Sequence, residues 1–195
     1  YTPRELEHQL KDSGAETIVI LENFAITLQD VLKNTPVKNV ITTQIGDMLG
    51  FPKSLIVNMV VKHVKKMVPS WAIHNTVKFN DTLTQGSRLK LNPVQIGHED
   101  IAFLQYTGGT TGVSKGAMLT NRNIVANMMQ AHAWLKPMVR EGQEIIITAL
   151  PLYHIFSLTV NCLLMLKIGG MNILITNPRD IPGFVKELAK HPYNV

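Results

Sequence analysis

Apolar positions along the first part of the chain follow two alternating spacings. Thr2 followed three residues later by Glu5 is typical of a capped helix start. Leu6 and Leu10 then lie one turn apart on a single face. An unbroken apolar run at 17–21 predicts a buried parallel strand. Because helices and strands continue to alternate, the pattern predicts an α/β fold with a mostly parallel β-sheet and flanking helices. The predicted helices are 3–13, 23–34, 121–135, 155–168 and one capped by Asp180 with Pro182 in its first turn, and the predicted strands are 17–21, 38–43, 101–106, 116–119, 145–149 and 172–176, with another starting at Tyr193.

Two segments interrupt this alternation. Residues 52–68 place apolar side chains at helical spacing, and Lys62, Lys65 and Lys66 add positive charge. Such a segment is either a basic amphipathic helix lying on a membrane or an ordinary surface helix with a solvated basic edge. We favour the surface helix, because such helices are common in soluble proteins. Residues 69–98 contain Pro69, Gly86, Pro93 and Gly97 and are predicted to be irregular.

Composition narrows the function only slightly. The net charge is +5, from 19 Lys and Arg against 14 Asp and Glu. This balance favours anionic partners, although a charge of this size also serves solubility alone. Cys162 is the one cysteine, so the chain forms no intrachain disulfide, which fits a reducing cytoplasm. Lys167 interrupts the longest apolar stretch, and we expect no membrane-spanning helix.

Residues 106–117 concentrate four glycines, three threonines and one lysine at the end of a predicted strand. Glycines let backbone N–H groups approach an anion closely. Threonine hydroxyls donate to phosphate oxygens, and Lys115 adds a mobile positive charge. The composition of this loop is that of a triphosphate-binding site.

Spacing separates this loop from other glycine-rich loops. A Walker A loop needs Gly-Lys followed by Ser or Thr, whereas Lys115 lies between Ser114 and Gly116. A dinucleotide-binding loop opens directly into a helix, but an extended segment intervenes here. Gly112–Gly116 also matches the G-x-S-x-G nucleophile elbow of hydrolases, which makes Ser114 an alternative nucleophile. A flexible turn would explain the glycines but not the threonines and the lysine.

The stretch Leu104–Lys115 resembles the AMP-binding signature of the adenylate-forming superfamily, with Gly108 and Ser114 at the two positions that depart from its usual form. A second stretch, Leu150–Phe156, resembles the next motif of that superfamily. Tyr1–Phe24, Ile101–Asn123 and Thr148–Pro192 are similar to bacterial long-chain fatty acid–CoA ligases. Other adenylate-forming ligases remain an alternative.

This resemblance implies ATP-dependent activation of a long-chain fatty acid, first to an acyl-adenylate and then to acyl-CoA. The implied cofactors and co-substrates are ATP, Mg²⁺ and coenzyme A. Lys115, Thr110 and His154 are the implied catalytic residues; His154 would border the substrate carboxylate, with Tyr153 nearby. Without the resemblance, His154 would be interpreted as a partly buried structural histidine. Nucleotide binding is implied for Tyr106, Thr107, Gly108, Gly109, Thr110, Thr111, Gly112, Val113, Ser114, Lys115 and Gly116, and Mg²⁺ contact for Thr107.

The resemblance also implies that residues 1–195 hold only part of the superfamily's motifs. Further motifs of the superfamily, which supply a magnesium ligand, ribose contacts and a lysine on a mobile C-terminal domain, are not found in residues 1–195. We therefore expect a fragment of the N-terminal AMP-binding domain, inactive alone, with the C-terminal domain absent. A cytoplasmic enzyme is expected, with no nucleic-acid partner; peripheral association with the inner face of the membrane and a homodimer remain open.

Overall fold

A computed structural model describes residues 1–107 and 113–194. The chain divides into two compact units, which are described separately. Unit 1 comprises Tyr1–Gln95 and Tyr106–Gly116, and unit 2 comprises Ile96–Gln105 and Ala117–Val195.

Unit 1 contains a three-stranded parallel sheet in the order β1-β2-β3. Thr17 lies opposite Asn39 and Ile41 lies opposite Val77 in its register. The parallel sheet and its flanking helices confirm the predicted fold class. The elements are α1 (Pro3–Ser13), β1 (Thr17–Leu21), a 3₁₀ turn (Glu22–Phe24), α2 (Ala25–Val31), a second 3₁₀ turn (Leu32–Asn34), β2 (Asn39–Thr43), α3 (Lys53–Met59), a π-helical stretch (Val60–Val64), β3 (Val77–Lys78) and α4 (Phe79–Gly86).

Helix α1 begins and ends as its sequence predicts. The Thr2 side chain accepts a hydrogen bond from the Glu5 backbone N–H, and the Glu5 carboxylate accepts one from the Thr2 N–H in return. Two N–H groups that no helical carbonyl can reach are thereby satisfied. Gly14 closes the helix with φ of 64°, a left-handed conformation that glycine adopts without steric strain.

The core of unit 1 lies between the sheet and helices α1 and α2. Ala25 and Leu28 are fully buried, and Leu10 and Val40 pack in the same cluster. The prediction that β1 is a buried strand is only partly right. Its pairing with β2 is parallel, but Val19 is 55% exposed. The apolar run is therefore covered on one face only among the described residues.

Two sequence predictions differ from the structure of unit 1. Residues 69–98 are not wholly irregular, because they contain β3 and α4. The two residues of β3 are too few to show strand periodicity, and α4 has no side-chain cap. The helix within 52–68 is present as α3 and the π-helical stretch, but its apolar side chains are largely exposed.

Unit 2 also contains parallel strand pairing, between β6 (Ile145–Thr148) and β7 (Met171–Leu174). Thr120 caps α5 and forms a reciprocal pair of hydrogen bonds with Asn123, and Asp180 caps α7 through the Gly183 N–H. The strand predicted to start at Tyr193 is not present at 193–194, although the Asn194 N–H donates to the Ile145 carbonyl. The elements that lie wholly or partly in unit 2 are β4 (Ile101–Thr107) and β5 (Lys115–Thr120), which form a two-stranded sheet, then α5 (Asn121–Leu135), β6 (Ile145–Thr148), a π-helical stretch (Ser157–Leu164), α6 (Met165–Ile168), β7 (Met171–Leu174) and α7 (Ile181–Leu188).

The predicted helix at 155–168 is present, but its centre is a π-helix. This stretch buries polar side chains as well as apolar ones, including Ser157, Thr159 and Asn161. A π-helix has more residues in each turn than an α-helix, so an apolar stripe spaced for 3.6 residues does not describe its inner face. Among the described residues, no helix is both long and apolar enough to cross a lipid bilayer.

Candidate functional site

The predicted phosphate-binding loop joins β4 to β5, and the structure describes its two flanks. Tyr106 and Thr107 end β4, and Val113 and Ser114 lead into β5 at Lys115 and Gly116. The remaining predicted loop residues, Gly108, Gly109, Thr110, Thr111 and Gly112, lie outside the described residues.

A side chain joins the two flanks of the loop. The Ser114 hydroxyl donates to the Thr107 carbonyl at 2.8 Å. This bond brings together residues that are seven apart in sequence and so closes the base of the loop. Hydroxyl-to-backbone bonds of this kind are typical of turns.

Tyr106 packs its ring directly on Gly116 across the base of the loop. A Cβ atom at Gly116 would lie 2.8 Å from the Tyr106 Cζ, so a side chain there would displace the ring. The Tyr106 hydroxyl donates to the Asp12 carboxylate at 2.6 Å. Removal of the phenol from water, aided by this hydrogen bond and the charge of Asp12, raises the pKa of Tyr106 to about 12. The phenol therefore remains a hydrogen-bond donor at neutral pH.

Helix α1 reaches the other flank of the loop as well. His8 Nε2 lies 2.8 Å from the Ser114 backbone oxygen. A carbonyl only accepts hydrogen bonds, so Nε2 carries the proton and donates it. His8 and Asp12 are four residues apart on α1 and therefore share a face of the helix. The sequence analysis did not identify either residue; their spacing of four was the one available signal, and it does not indicate a partner.

Lys115 is the cationic residue predicted to contact phosphate, and the structure places it at the first position of β5 with its side chain exposed. Thr107, the predicted magnesium ligand, is exposed at the last position of β4. The described residues contain no group of three or more His, Cys, Asp or Glu side chains that could hold a metal ion.

The hydrolase alternative for Ser114 does not fit this geometry. A nucleophile elbow presents its serine between a strand and a helix, with a general base in reach of the hydroxyl. Ser114 instead precedes strand β5, and its hydroxyl donates a hydrogen bond to the Thr107 carbonyl. His8 contacts the Ser114 backbone oxygen, so it is not placed as a base for the hydroxyl.

The second predicted motif, 150–156, forms a tight turn in unit 2. The His154 N–H donates to the Pro151 carbonyl at 2.9 Å, and the buried Ser157 hydroxyl donates to the Leu150 carbonyl at 3.0 Å. Gln105, near the end of β4, donates from its amide to the Tyr153 carbonyl at 3.0 Å. Three carbonyls of the turn, those of Leu150, Pro151 and Tyr153, thus accept hydrogen bonds.

His154 itself is exposed, so it is not the partly buried structural histidine that the bare sequence suggested. Its Nδ1 atom accepts from the Phe156 N–H at 3.3 Å. The proton of the neutral imidazole is therefore on Nε2, which is a hydrogen-bond donor. Tyr153 is also exposed.

A ladder of polar side chains fixes the strand end that leads into this turn. Thr148, the last residue of β6, donates to the Asn172 Oδ1 atom at 2.8 Å and accepts from the Asn161 amide at 3.1 Å. All three side chains are thereby joined across β6, β7 and the π-helical stretch. The turn follows the carboxyl end of a parallel strand, where ligands bind in open α/β sheets.

Comparison with known proteins identifies the family. The AMP-binding enzyme family matches residues 1–195, which is the whole chain. The chain belongs to this family. Its sequence is also 56% identical over 193 residues to a long-chain-fatty-acid–CoA ligase of Escherichia coli O6:H1, a match that covers 99% of this chain and 34% of that protein. The chain thus spans about a third of the length of such relatives.

Solved structures of AMP-binding enzymes share the fold. A long-chain-fatty-acid–CoA ligase from Archaeoglobus fulgidus superposes with a TM-score of 0.59 and 25% identity, covering 97% of this chain and 31% of that one. An anthranilate CoA ligase in complex with anthranoyl-AMP superposes with a TM-score of 0.72 and 16% identity, covering 97% of this chain and 32% of that one. The second likeness shows the fold alone.

Proposed function

We propose that the full-length protein activates a long-chain fatty acid with ATP and transfers the acyl group to coenzyme A. The identity of 56% across 99% of the chain to a long-chain-fatty-acid–CoA ligase carries this proposal. Residues 1–195 would form part of an N-terminal AMP-binding domain, with a C-terminal domain beyond them. The loop of 106–117 alone would not complete the reaction.

The reaction consists of two group transfers. A fatty-acid carboxylate oxygen attacks the α-phosphorus of ATP, and pyrophosphate leaves with the electrons of the broken P–O bond. The thiol of coenzyme A, after losing its proton to solvent, then attacks the acyl carbon, and AMP leaves with the electrons of the broken C–O bond. The first transfer needs alignment of the triphosphate and neutralisation of its charge more than it needs covalent protein chemistry.

The phosphate loop supplies this alignment. Lys115 contacts the β- and γ-phosphates with its exposed amine, and its place at the start of β5 supports this role. Thr107 would hold a magnesium ion on the phosphates, which supplies charge neutralisation. Thr110 and Thr111 donate to phosphate oxygens, and Gly109 and Gly112 permit close approach of the backbone.

His154 orients the substrate carboxylate. Its exposure and its Nε2 proton support this role, because a carboxylate oxygen accepts a hydrogen bond from that atom. The hydrogen bonds of the Tyr153 and His154 backbone keep the turn in one conformation, so the imidazole is presented from a fixed position.

Fatty-acid-dependent exchange of labelled pyrophosphate into ATP tests this function in the full-length protein. We expect exchange with oleate and much less with acetate or benzoate. Exchange with benzoate but not with oleate would assign the protein to another class of adenylate-forming ligase. An absence of exchange with every carboxylate would contradict the proposal.

We also propose that residues 52–68, the basic amphipathic segment, contact the anionic inner face of the cytoplasmic membrane. Leu55 and Met59 are exposed in this segment, and Phe51, which directly precedes it, is 88% exposed. Four lysines are exposed in the same segment, so apolar insertion and charge attraction would act together. A fatty acid is an amphiphile that partitions into membranes, which supports a docking surface on an enzyme that uses it. The lysines are Lys53, Lys62, Lys65 and Lys66.

Vesicle binding tests this segment. Each lysine near an anionic surface contributes about 1 kcal/mol, so Lys65→Glu with Lys66→Glu should weaken binding to phosphatidylglycerol vesicles by at least about tenfold. The matched control, Lys33→Glu with Lys90→Glu, changes the same charge on exposed residues outside the segment. Equal weakening by both pairs, or binding that ignores lipid charge and salt, would contradict docking through this segment.

A further inference from the structure

We propose that helix α1 positions the phosphate-binding loop through two tethers, His8 to the Ser114 carbonyl and Asp12 to the Tyr106 hydroxyl. This inference rests on the proposed function of the loop in ATP binding. It assigns His8 and Asp12 as positioning residues, because each would act on the loop through another residue, Ser114 or Tyr106.

The two tethers reach opposite ends of the loop from one face of one helix. The Tyr106 hydroxyl donates to Asp12 at 2.6 Å on the entering flank, and His8 donates to Ser114 at 2.8 Å on the leaving flank. All four residues belong to unit 1, as do the loop flanks. Helix α1 therefore contacts both flanks of the loop, each through one hydrogen bond.

The helix is itself held firmly, which makes it an effective support. Leu10 is buried in the core of unit 1, and Leu6 packs against the same cluster. Glu7 and Lys11 form an ion pair on another side of the helix at 2.5 Å. Leu6 and Leu10 thus form the face of α1 that packs in the core, and His8 and Asp12 form the face that contacts the loop. Rotation of the helix about its axis would break the contacts of both faces. Groups that position a reacting ligand work best when they are mounted on a rigid element of this kind.

The His8 tether acts on Lys115 through the peptide group. The Ser114 carbonyl and the Lys115 nitrogen belong to one planar unit. A hydrogen bond to the carbonyl oxygen therefore restrains the orientation of that plane, which includes the Cα atom of Lys115. Lys115 is exposed, so this backbone restraint limits the space that its amine explores before ATP binds.

The Asp12 tether acts through the aromatic ring. Tyr106 lies on Gly116, whose missing Cβ leaves room for the ring. Asp12 holds the ring there through the phenol, and the ring in turn covers the backbone that follows Lys115. Both tethers therefore converge on the backbone on either side of the phosphate-contacting lysine.

Steady-state kinetics of the full-length protein tests the His8 tether. His8→Leu removes the donor, and we expect the KM for ATP to rise about tenfold, which is the effect of one ordinary net hydrogen bond. The KM for the fatty acid should change less than twofold. His8→Gln retains an N–H donor at a similar reach and should restore most of the ATP affinity, whereas the exposed His74→Leu control should behave like the wild type.

The outcomes separate this inference from the proposed function. If Lys115→Ala leaves ATP-dependent exchange intact, the proposed role of the loop fails. If Lys115→Ala abolishes exchange while His8→Leu matches His74→Leu, the tether alone is overturned. A rise in both KM values, with no recovery in His8→Gln, would assign His8 a general structural role and would also overturn the tether.

A second pair of variants keeps the test decisive if His8→Leu does not fold. Tyr106→Phe keeps the ring on Gly116 and removes only the hydroxyl, and Asp12→Ala removes its partner. Each should raise the KM for ATP several-fold, and the double variant should be no worse than the stronger single variant, because both remove one interaction. Fully additive effects would overturn the Asp12 tether.

Discussion

Replacement of Lys115 by alanine is expected to lower oleate-dependent pyrophosphate exchange by about 100- to 1000-fold, as loss of one positioned charge-stabilising group does in other enzymes. The amine of Lys115 is the cation that the described part of the loop presents at the start of β5. Its removal takes away one of the groups that would neutralise charge on the leaving pyrophosphate, so the rate of the adenylation step should fall. Exchange of labelled pyrophosphate in the full-length protein measures this directly.

Two controls make the Lys115 result specific. Lys115→Arg keeps a positive charge with a different geometry and should recover part of the exchange rate. Lys90→Ala removes another exposed lysine and should leave the rate within about twofold, as expected for a surface change away from the site. An unchanged rate in Lys115→Ala, with thermal unfolding also unchanged, would remove Lys115 from the site.

Leu28→Ala should lower the free energy of unfolding by about 2–5 kcal/mol. Leu28 is fully buried in the cluster that also contains Leu10 and Val40, so truncation loses apolar burial and leaves a cavity. Trp71 packs against this cluster. Residues 1–195 contain two tryptophans, so in this segment expressed by itself a Trp134→Phe background makes Trp71 fluorescence a probe of this core during urea denaturation.

The matched control for the core is Leu91→Ala. Leu91 is 90% exposed, and its truncation should change the unfolding free energy by less than about 0.5 kcal/mol. Comparable urea midpoints for the Leu28 and Leu91 variants would contradict the assignment of the core to the layer between the sheet and α1 with α2.

Local signals predicted the elements that depend on local interactions. The capping box at Thr2 and Glu5 and the glycine after Ser13 define α1 through contacts within a few residues, and the structure has the predicted bounds. Strand β1 follows from an apolar run, and β2 from the repeat of the helix–strand alternation. In contrast, β3 is a strand because two residues pair with β2, and such pairing is a tertiary interaction that short sequences do not reveal.

The π-helical stretch in 157–164 shows a second limit of periodicity. Apolar spacing predicted a helix there, and a helix is present, but its inner face carries Ser157, Thr159 and Asn161. These polar residues are buried because each hydroxyl or amide has a partner, such as Thr148 for Asn161. That partner lies in strand β6, 13 residues earlier in the chain, so the spacing of apolar positions does not reveal it.

Some residues of the candidate site could be predicted from the sequence, and others could not. The composition of 106–117 indicated a phosphate-binding loop, because glycines, hydroxyls and a lysine have that chemistry in themselves. His8 and Asp12 have no such signature, and they became candidates only when the fold brought them to Ser114 and Tyr106. Residues that act on a site through another residue are therefore the part that sequence patterns miss.

The two contacts between α1 and the loop should produce different patterns of amino-acid replacement among relatives. Asp12 and Tyr106 bind through their side chains, so a change at one position removes the reason to keep the other. His8 binds a backbone oxygen, which every amino acid at position 114 supplies. An alignment of relatives should accordingly show correlated replacement at 12 and 106, while position 8 changes independently of the residue found at 114.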